Sequence, residues 1–160
     1  MAERDVQHRL GETDVDFEAL AVMSNIFRVA NRARYHFERT VLATEGLSFT
    51  AFTTLWVLWI WGELEARHLA VHAGITKGTL TGVVSTLASR ELVIRRHHPD
   101  DRRLVLIAAT EQGEALMAEL FPRFNAEESS LTKRLNSERR RELADSLRVV
   151  LRTIESLEAT

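Results

Sequence analysis

The chain has 160 residues, of which 45% are hydrophobic and 28% charged, a balance that suits one ordinary globular unit and not a disordered or fibrous chain. It contains no cysteine, which excludes a disulfide framework, a thiolate zinc site, a cysteine nucleophile and thiol-based redox sensing. The formal net charge is −2, yet residues 67–103 hold seven Arg or Lys against three Asp or Glu and four of the six histidines, so one compact basic stretch lies between acidic flanks.

Residues 17–44 read as one long helix, with Leu20, Met23, Phe27, Ala30, Arg34, Phe37 and Val41 recurring at three- and four-residue steps before Gly46. A second helix follows, capped by Ser48 or Thr50, with Phe52, Leu55, Trp56, Trp59 and Ile60 as its apolar face and Gly62 as its stop. Residues 65–73 form a short third helix around Leu69 and Ala70, closed by Gly74. Thr76 caps a fourth, which carries Leu80, Val83, Val84 and Leu87 on one side. The pattern then changes to two short β-branched runs, residues 92–96 and 104–107, joined by the turn residues Pro99-Asp100-Asp101: a hairpin. Thr110 opens a fifth helix, which Pro122 is expected to kink or break. A last helix begins near Ser137, with Leu143, Leu147, Val150, Leu151, Ile154 and Leu157 as its stripe. The expected fold is mainly α with a small β-hairpin, in the order α-α-α-α-β-β-α-α. The longest apolar run, residues 55–61, falls far short of the roughly 20 residues that span a bilayer, and residues 1–12 are too charged for an export signal. No membrane association is expected, and a cytoplasmic protein is.

Helix, glycine turn, helix and hairpin within the basic stretch form the outline of a winged helix-turn-helix, whose second helix enters a major groove of double-stranded DNA with its first turn toward phosphate. That turn here is Thr76-Lys77-Gly78-Thr79. Opposite the apolar face lie Lys77, Gly78, Thr81, Gly82 and Ser85, all small except the lysine. Two glycines in a short helix each cost about 1 kcal/mol relative to alanine. Close approach to a groove, close packing against another helix and simple tolerance would each account for them. Between the strands, an arginine on a rigid ribbon can enter a minor groove while a neighbouring aspartate orients it. Arg95, Arg96, Arg102 and Arg103 are the basic residues of that ribbon, and Asp101 the candidate orienting carboxylate.

In this order the motifs resemble the MarR family of bacterial transcription regulators. Leu47-Ser48-Phe49-Thr50-Ala51-Phe52 is similar to the family's second-helix entry, Leu69-Ala70-Val71-His72-Ala73-Gly74-Ile75 to its helix-turn segment, Asp101-Arg102-Arg103 to its Asp-x-Arg wing signature, and Ala109-Thr110-Glu111-Gln112-Gly113 to its Leu-Thr-x-x-Gly helix start. Glu91 stands where the family turns through glycine, and Ala109 where it has leucine. The resemblance implies that Arg103 is a minor-groove arginine oriented by Asp101, and that Thr76, Lys77, Thr79 and Thr81 contact bases or phosphates. It also implies a homodimeric repressor. Residues 47–109 would be the DNA-binding part of a single unit spanning 1–160, and residues 15–46 and 110–160 the dimerisation helices. Its two recognition helices would read a pseudo-palindromic operator.

Family members that respond to small aromatic or phenolic molecules bind them between the dimerisation helices and the winged helix. By that resemblance Tyr35, His36, Trp56 and Trp59 are candidate effector contacts, although core packing accounts for such aromatics equally well. His68 and His72 have the four-residue spacing of a metal pair, but no Cys or carboxylate joins them at helical spacing, so no metal and no cofactor is expected. No nucleophile triad, phosphate loop or carboxylate pair points to an enzyme. The competing class is a winged helix that binds protein without specific DNA recognition; the retained arginines favour DNA.

Overall fold

The computed structural model describes residues 14–99, 101 and 103–158; residues 1–12, Asp100 and Arg102, named in the sequence reading above, lie outside the described residues. The elements are α1 (Phe17–Arg39), a 3-10 turn (Ala43–Glu45), α2 (Phe49–Trp61), β1 (Leu64–Glu65), α3 (Ala66–His72), α4 (Lys77–Ser89), β2 (Val93–His97), β3 (Val105–Ala109), α5 (Glu111–Leu131) and α6 (Ser137–Glu158). The chain forms two compact units, Met1–Met117 and Ala118–Thr160. The expected order of helices and hairpin is present, with β1 added to it.

Local chemistry explains most boundaries. Asp16 caps α1 by accepting from the Ala19 N–H at 2.9 Å. The helix was expected to run to residue 44 but stops at Thr40, whose hydroxyl turns back to the His36 carbonyl at 2.8 Å. The chain then tightens through the 3-10 turn into Gly46, in the left-handed region at φ 59°. This break carries both Val41 and Leu42 into the interior, which a straight helix would have placed on diverging faces. Ser48, not Thr50, caps α2, accepting from the Ala51 N–H at 3.1 Å. Glu38 of α1 accepts from the Phe49 N–H at 2.8 Å. The expected apolar face of α2 is only partly right. Phe52 and Leu55 are buried, but with them go Ala51, Thr54, Val57 and Leu58, while Ile60 is half exposed and Trp56 and Trp59 are half-buried. In a helix that is apolar on nearly every side, periodicity carries no directional information.

In α5, Pro122 is accommodated inside a helix that continues to Leu131. Asn136 rather than Ser137 caps α6, accepting from the Arg139 N–H at 2.9 Å, and the Ser137 hydroxyl accepts from Arg141 at 3.1 Å.

The sheet has the order β1-β3-β2, all antiparallel. Strand β2 pairs from Val93↔Ala109 to His97↔Val105, and β1 contributes two pairs, Leu64↔Ile107 and Glu65↔Leu106. In the first unit Leu42, Leu55, Leu58, Leu69, Val84 and Leu87 are fully buried, each leucine contributing roughly 1.5–3 kcal/mol to folding.

The end of α4 is a left-handed cap: the Glu91 N–H donates to the Ala88 carbonyl at 3.0 Å and the Leu92 N–H to the Leu87 carbonyl at 3.0 Å. Glu91 occupies the left-handed position with φ 58°, and is the non-glycine residue found there among those described. A side chain there costs about 1–2 kcal/mol that glycine does not incur. Glu91→Gly should therefore raise unfolding stability by about 1 kcal/mol, read as an increased urea midpoint at unchanged slope; an unchanged or lower midpoint would show that the Glu91 side chain compensates its backbone.

Candidate nucleic-acid interface

The turn between α3 and α4 is set by Gly74, at φ 65°, with the Gly74 N–H on the Val71 carbonyl and the Ile75 N–H on the Ala70 carbonyl, both at 3.0 Å. Thr76 then caps α4: its hydroxyl oxygen accepts from the Thr79 N–H at 3.1 Å and lies 2.9 Å from the Thr79 hydroxyl. Leu80, Val84 and Leu87 are buried and Val83 is partly so, as their spacing predicts. The opposite face, with Lys77, Gly78, Thr81, Gly82 and Ser85, is exposed. Thr81, exposed, donates its hydroxyl proton to the Lys77 carbonyl at 3.0 Å, which leaves the oxygen able to accept. Such a side chain accepts from an adenine or cytosine amine or packs on a thymine methyl.

Gly78 and Gly82 are not packing glycines. A Cβ built on Gly78 meets only the Thr76 hydroxyl, at 3.8 Å, and one on Gly82 meets nothing within 4 Å. Of the three accounts open from sequence, close packing against another described helix of this chain is thereby removed.

The strands bring the wing beside this helix. The Arg95 guanidinium donates to the Thr81 carbonyl at 3.2 Å, tying β2 to the exposed polar face of α4. Arg96 pairs instead with Glu63, in the segment after α2. Between β2 and β3, the His98 N–H donates to the Leu104 carbonyl at 3.0 Å and the Leu104 N–H to the Asp101 carbonyl at 2.9 Å. Asp101 then grips Arg103 three times. Its Oδ1 accepts from the Arg103 backbone N–H and from Nε, both at 3.0 Å, and its Oδ2 accepts from Nη2 at 2.9 Å. The fork leaves the Arg103 side chain 90% exposed while fixing its plane. The side-chain hydrogen bond from Arg103, then the one from its backbone N–H, hold the Asp101 carboxyl below the ordinary aspartate range, and the His98 charge acts in the same direction.

Two residues that sequence reading missed also position this site. Arg90, at the end of α4, donates to the carbonyls of Glu45 at 2.8 Å and Gly46 at 3.2 Å, joining α4 to the 3-10 turn after α1. Glu63 holds Arg96. Neither has a local signature, because each partner lies dozens of residues away.

The candidate effector residues divide into separate neighbourhoods. Tyr35 is exposed on α1, accepting from Arg39 at 3.0 Å, and with His36 lines a shallow surface cavity of about 410 Å³ together with Arg32, Arg39 and Thr40. Trp56 packs edge-on against Trp61, ring centres 5.5 Å apart, and Trp61 stacks on His72 at 5.3 Å. The indole N–H of Trp56 is buried and has no acceptor among the described residues. His68 and His72 are both exposed, and no group of three or more His, Asp or Glu able to hold a metal occurs among the described residues. No described helix is long and apolar enough to cross a membrane.

A sequence model of the MarR family matches residues 47–105. The chain is 34% identical over 151 residues to the uncharacterized HTH-type transcriptional regulator YwaE of Bacillus subtilis strain 168, covering 92% of this chain and 88% of that protein. It is 29% identical to the HTH-type transcriptional repressor YetL of the same organism, over 72% of this chain and 70% of that one. Among solved structures it is similar to BpsR of Bordetella bronchiseptica, at 27% identity and a TM-score of 0.75, covering 81% of this chain and 98% of the other. DNA binding by BpsR is regulated by 6-hydroxynicotinic acid.

Proposed function

The chain belongs to the MarR family and is a transcriptional regulator, not an enzyme, and from that premise we propose that it is a homodimeric, ligand-responsive repressor of a pseudo-palindromic operator. The observation that carries this is the threefold grip of Asp101 on an otherwise exposed Arg103 at the wing tip. A guanidinium fixed in plane before it meets DNA loses little freedom on entering a minor groove. Thr76, Lys77, Gly78, Thr79, Thr81 and Ser85 form the major-groove face, and Arg95 the phosphate-side link between helix and wing. Arg102 lies outside the described residues, and its role rests on the wing motif alone.

Residues 47–109 act as the DNA-binding part and residues 15–46 and 110–160 as the dimerisation helices. Two apolar faces support the dimer: α1 exposes Leu20 and Phe27 on one side, with Met23 between them half-buried, and α6 exposes Leu143, Leu147, Leu151, Ile154 and Leu157. Uncovered stripes of this length on two helices call for a partner, and a second copy supplies one with matching two-fold symmetry. Recognition helices roughly 34 Å apart then fit successive major grooves. The protein works in the cytoplasm, where such a regulator meets DNA.

The effector is a small hydroxylated aromatic molecule, and at least one of Tyr35, His36, Trp56 and Trp59 contacts it. The buried, acceptor-free indole N–H of Trp56 supports this, since an orphan donor costs about 1–3 kcal/mol that a ligand oxygen would recover. Trp56→Phe keeps the ring and removes the donor. With 6-hydroxynicotinic acid as probe, it should raise the concentration needed for release from DNA about tenfold; an unchanged concentration removes Trp56 from the site.

Fluorescence anisotropy tests the whole proposal, titrating the protein against the duplex upstream of its own gene and a scrambled duplex across a salt series. Tight, salt-sensitive preference for the upstream duplex is expected. Equal, weak binding to both would point instead to a protein-binding winged helix. In the same assay Gly82→Ala should weaken the preferred duplex several-fold while stabilising the fold by about 0.5–1 kcal/mol, because its methyl group meets no protein atom. A gain in stability with no loss of binding would leave Gly82 as mere tolerance.

A further inference from the structure

The three-stranded sheet sends the two arginines of β2 to opposite faces. Arg95 shares a lateral row with Ile107 and Leu64, and Ile107 is buried, so this is the face turned to the helices. The Arg95 bond to the Thr81 carbonyl agrees with that orientation. Arg96 shares the next row with Leu106 and Glu65, on the outer face, and there its Nε donates to the Glu63 carboxylate 33 positions away. Glu65, in the same row, is paired with Arg67 at 2.9 Å.

The hairpin formed by β2 and β3 is joined to β1 by only two residue pairs, and both are made by β3. The Glu63–Arg96 pair crosses from the segment leaving α2 to β2, the strand that does not touch β1. Arg95 restrains β2 from the inner face and Arg96 from the outer. Two restraints on opposite faces resist rotation of the hairpin about its own axis, and that rotation would move Arg103 relative to α4.

We infer that Glu63 and Arg96 form a strut that positions the wing, making Glu63 a positioning residue for operator recognition and Arg96 its partner rather than a phosphate contact. This strut presupposes the operator-binding role proposed above. An exposed ion pair contributes little to global stability, so its loss should be read in recognition and not in unfolding.

The test compares intact wild-type protein with E63Q, R96Q, the E63Q/R96Q double variant and the charge-swapped E63R/R96E variant, each titrated against the upstream and scrambled duplexes across a salt series. The ratio of the two affinities cancels the general effect of changing protein charge. Either single substitution should lower that ratio about three- to tenfold, the double substitution no further, and the swap should recover most of it. The slope of log affinity against log salt should stay unchanged in R96Q. A slope shallower by about 0.9 per wing in R96Q, with E63Q binding both duplexes more tightly, would overturn the strut and make Arg96 a phosphate contact masked by Glu63. Ratios unchanged in every variant would also overturn it. Wild-type protein that fails to distinguish the two duplexes would sink the operator-binding role itself, and the strut with it.

Discussion

Gly113→Ala should destabilise the protein by about 2–4 kcal/mol, the range of a substitution that overpacks a junction unable to relax. A Cβ at this position in the first turn of α5 would lie 2.2 Å from the Leu92 carbonyl oxygen and 3.1 Å from its carbon. Ordinary carbon to oxygen contacts are more than about 3.3 Å. The carbonyl has no free direction of retreat, because it accepts from the Thr110 N–H at 3.1 Å. Thr110 is itself pinned, its hydroxyl donating to the Glu91 carbonyl at 2.6 Å and accepting from the Gly113 N–H at 3.0 Å. Strand β2 begins at Val93, so any outward shift of Leu92 also tilts the root of the wing. Urea unfolding followed by circular dichroism measures the loss, with Gly78→Ala as a control whose added methyl finds space. A Gly113→Ala protein within about 0.5 kcal/mol of wild type would mean that the Leu92 backbone moves freely.

Arg103→Ala should weaken operator binding about ten- to a hundredfold and make the salt dependence shallower by about 0.9 per wing, as one cation is withdrawn from the phosphate field at each half-site. Asp101→Asn should behave differently. It keeps the arginine charged and the turn's shape but removes the charged fork, so the salt slope should persist while the preference for narrow, A·T-rich minor grooves declines. The sign of the pH dependence follows from the Asp101 carboxyl, which Arg103 holds below its ordinary value of about 3.9. A carboxylate depressed in this way is fully ionised above the ordinary value, and the clamp is lost only as pH falls through the depressed one. The ratio of wild-type to Arg103→Ala affinity should therefore be flat from pH 5.5 to 8. A ratio that varies across that window would show that the Asp101 carboxyl does not set the pH dependence of the wing tip. An unchanged salt slope in Arg103→Ala would remove the wing from DNA recognition.

Much of this site was legible in the sequence because its determinants act within four or five residues. The Ser48 and Thr76 caps, the Gly74 turn and the Asp-x-Arg turn each work through bonds between near neighbours, and the 80/84/87 spacing of α4 through helical periodicity. Glu91 was visible as a departure from glycine, and the backbone there is indeed left-handed. The side of α2 that faces inward was not legible, since Phe49–Trp61 is apolar around its circumference and only neighbouring elements choose a face. Strand β1 was not visible either. Two residues show no period, and Leu64 and Glu65 are extended only because β3 offers them hydrogen bonds.

Sequence by itself thus determined where helices start, where glycines turn the chain, which face of α4 is small and polar, and that a basic hairpin follows it. These features depend on dihedral preference, capping and side-chain periodicity, whose range is a single turn. Only the tertiary structure decided that Arg95 and Arg96 part company, that Arg90 binds the turn after α1, that Glu63 reaches the wing and that Gly113 must stay bare. Each of those brings together groups that are distant along the chain, and their contact energies exist only once the chain has paid the entropy of closing the loop between them.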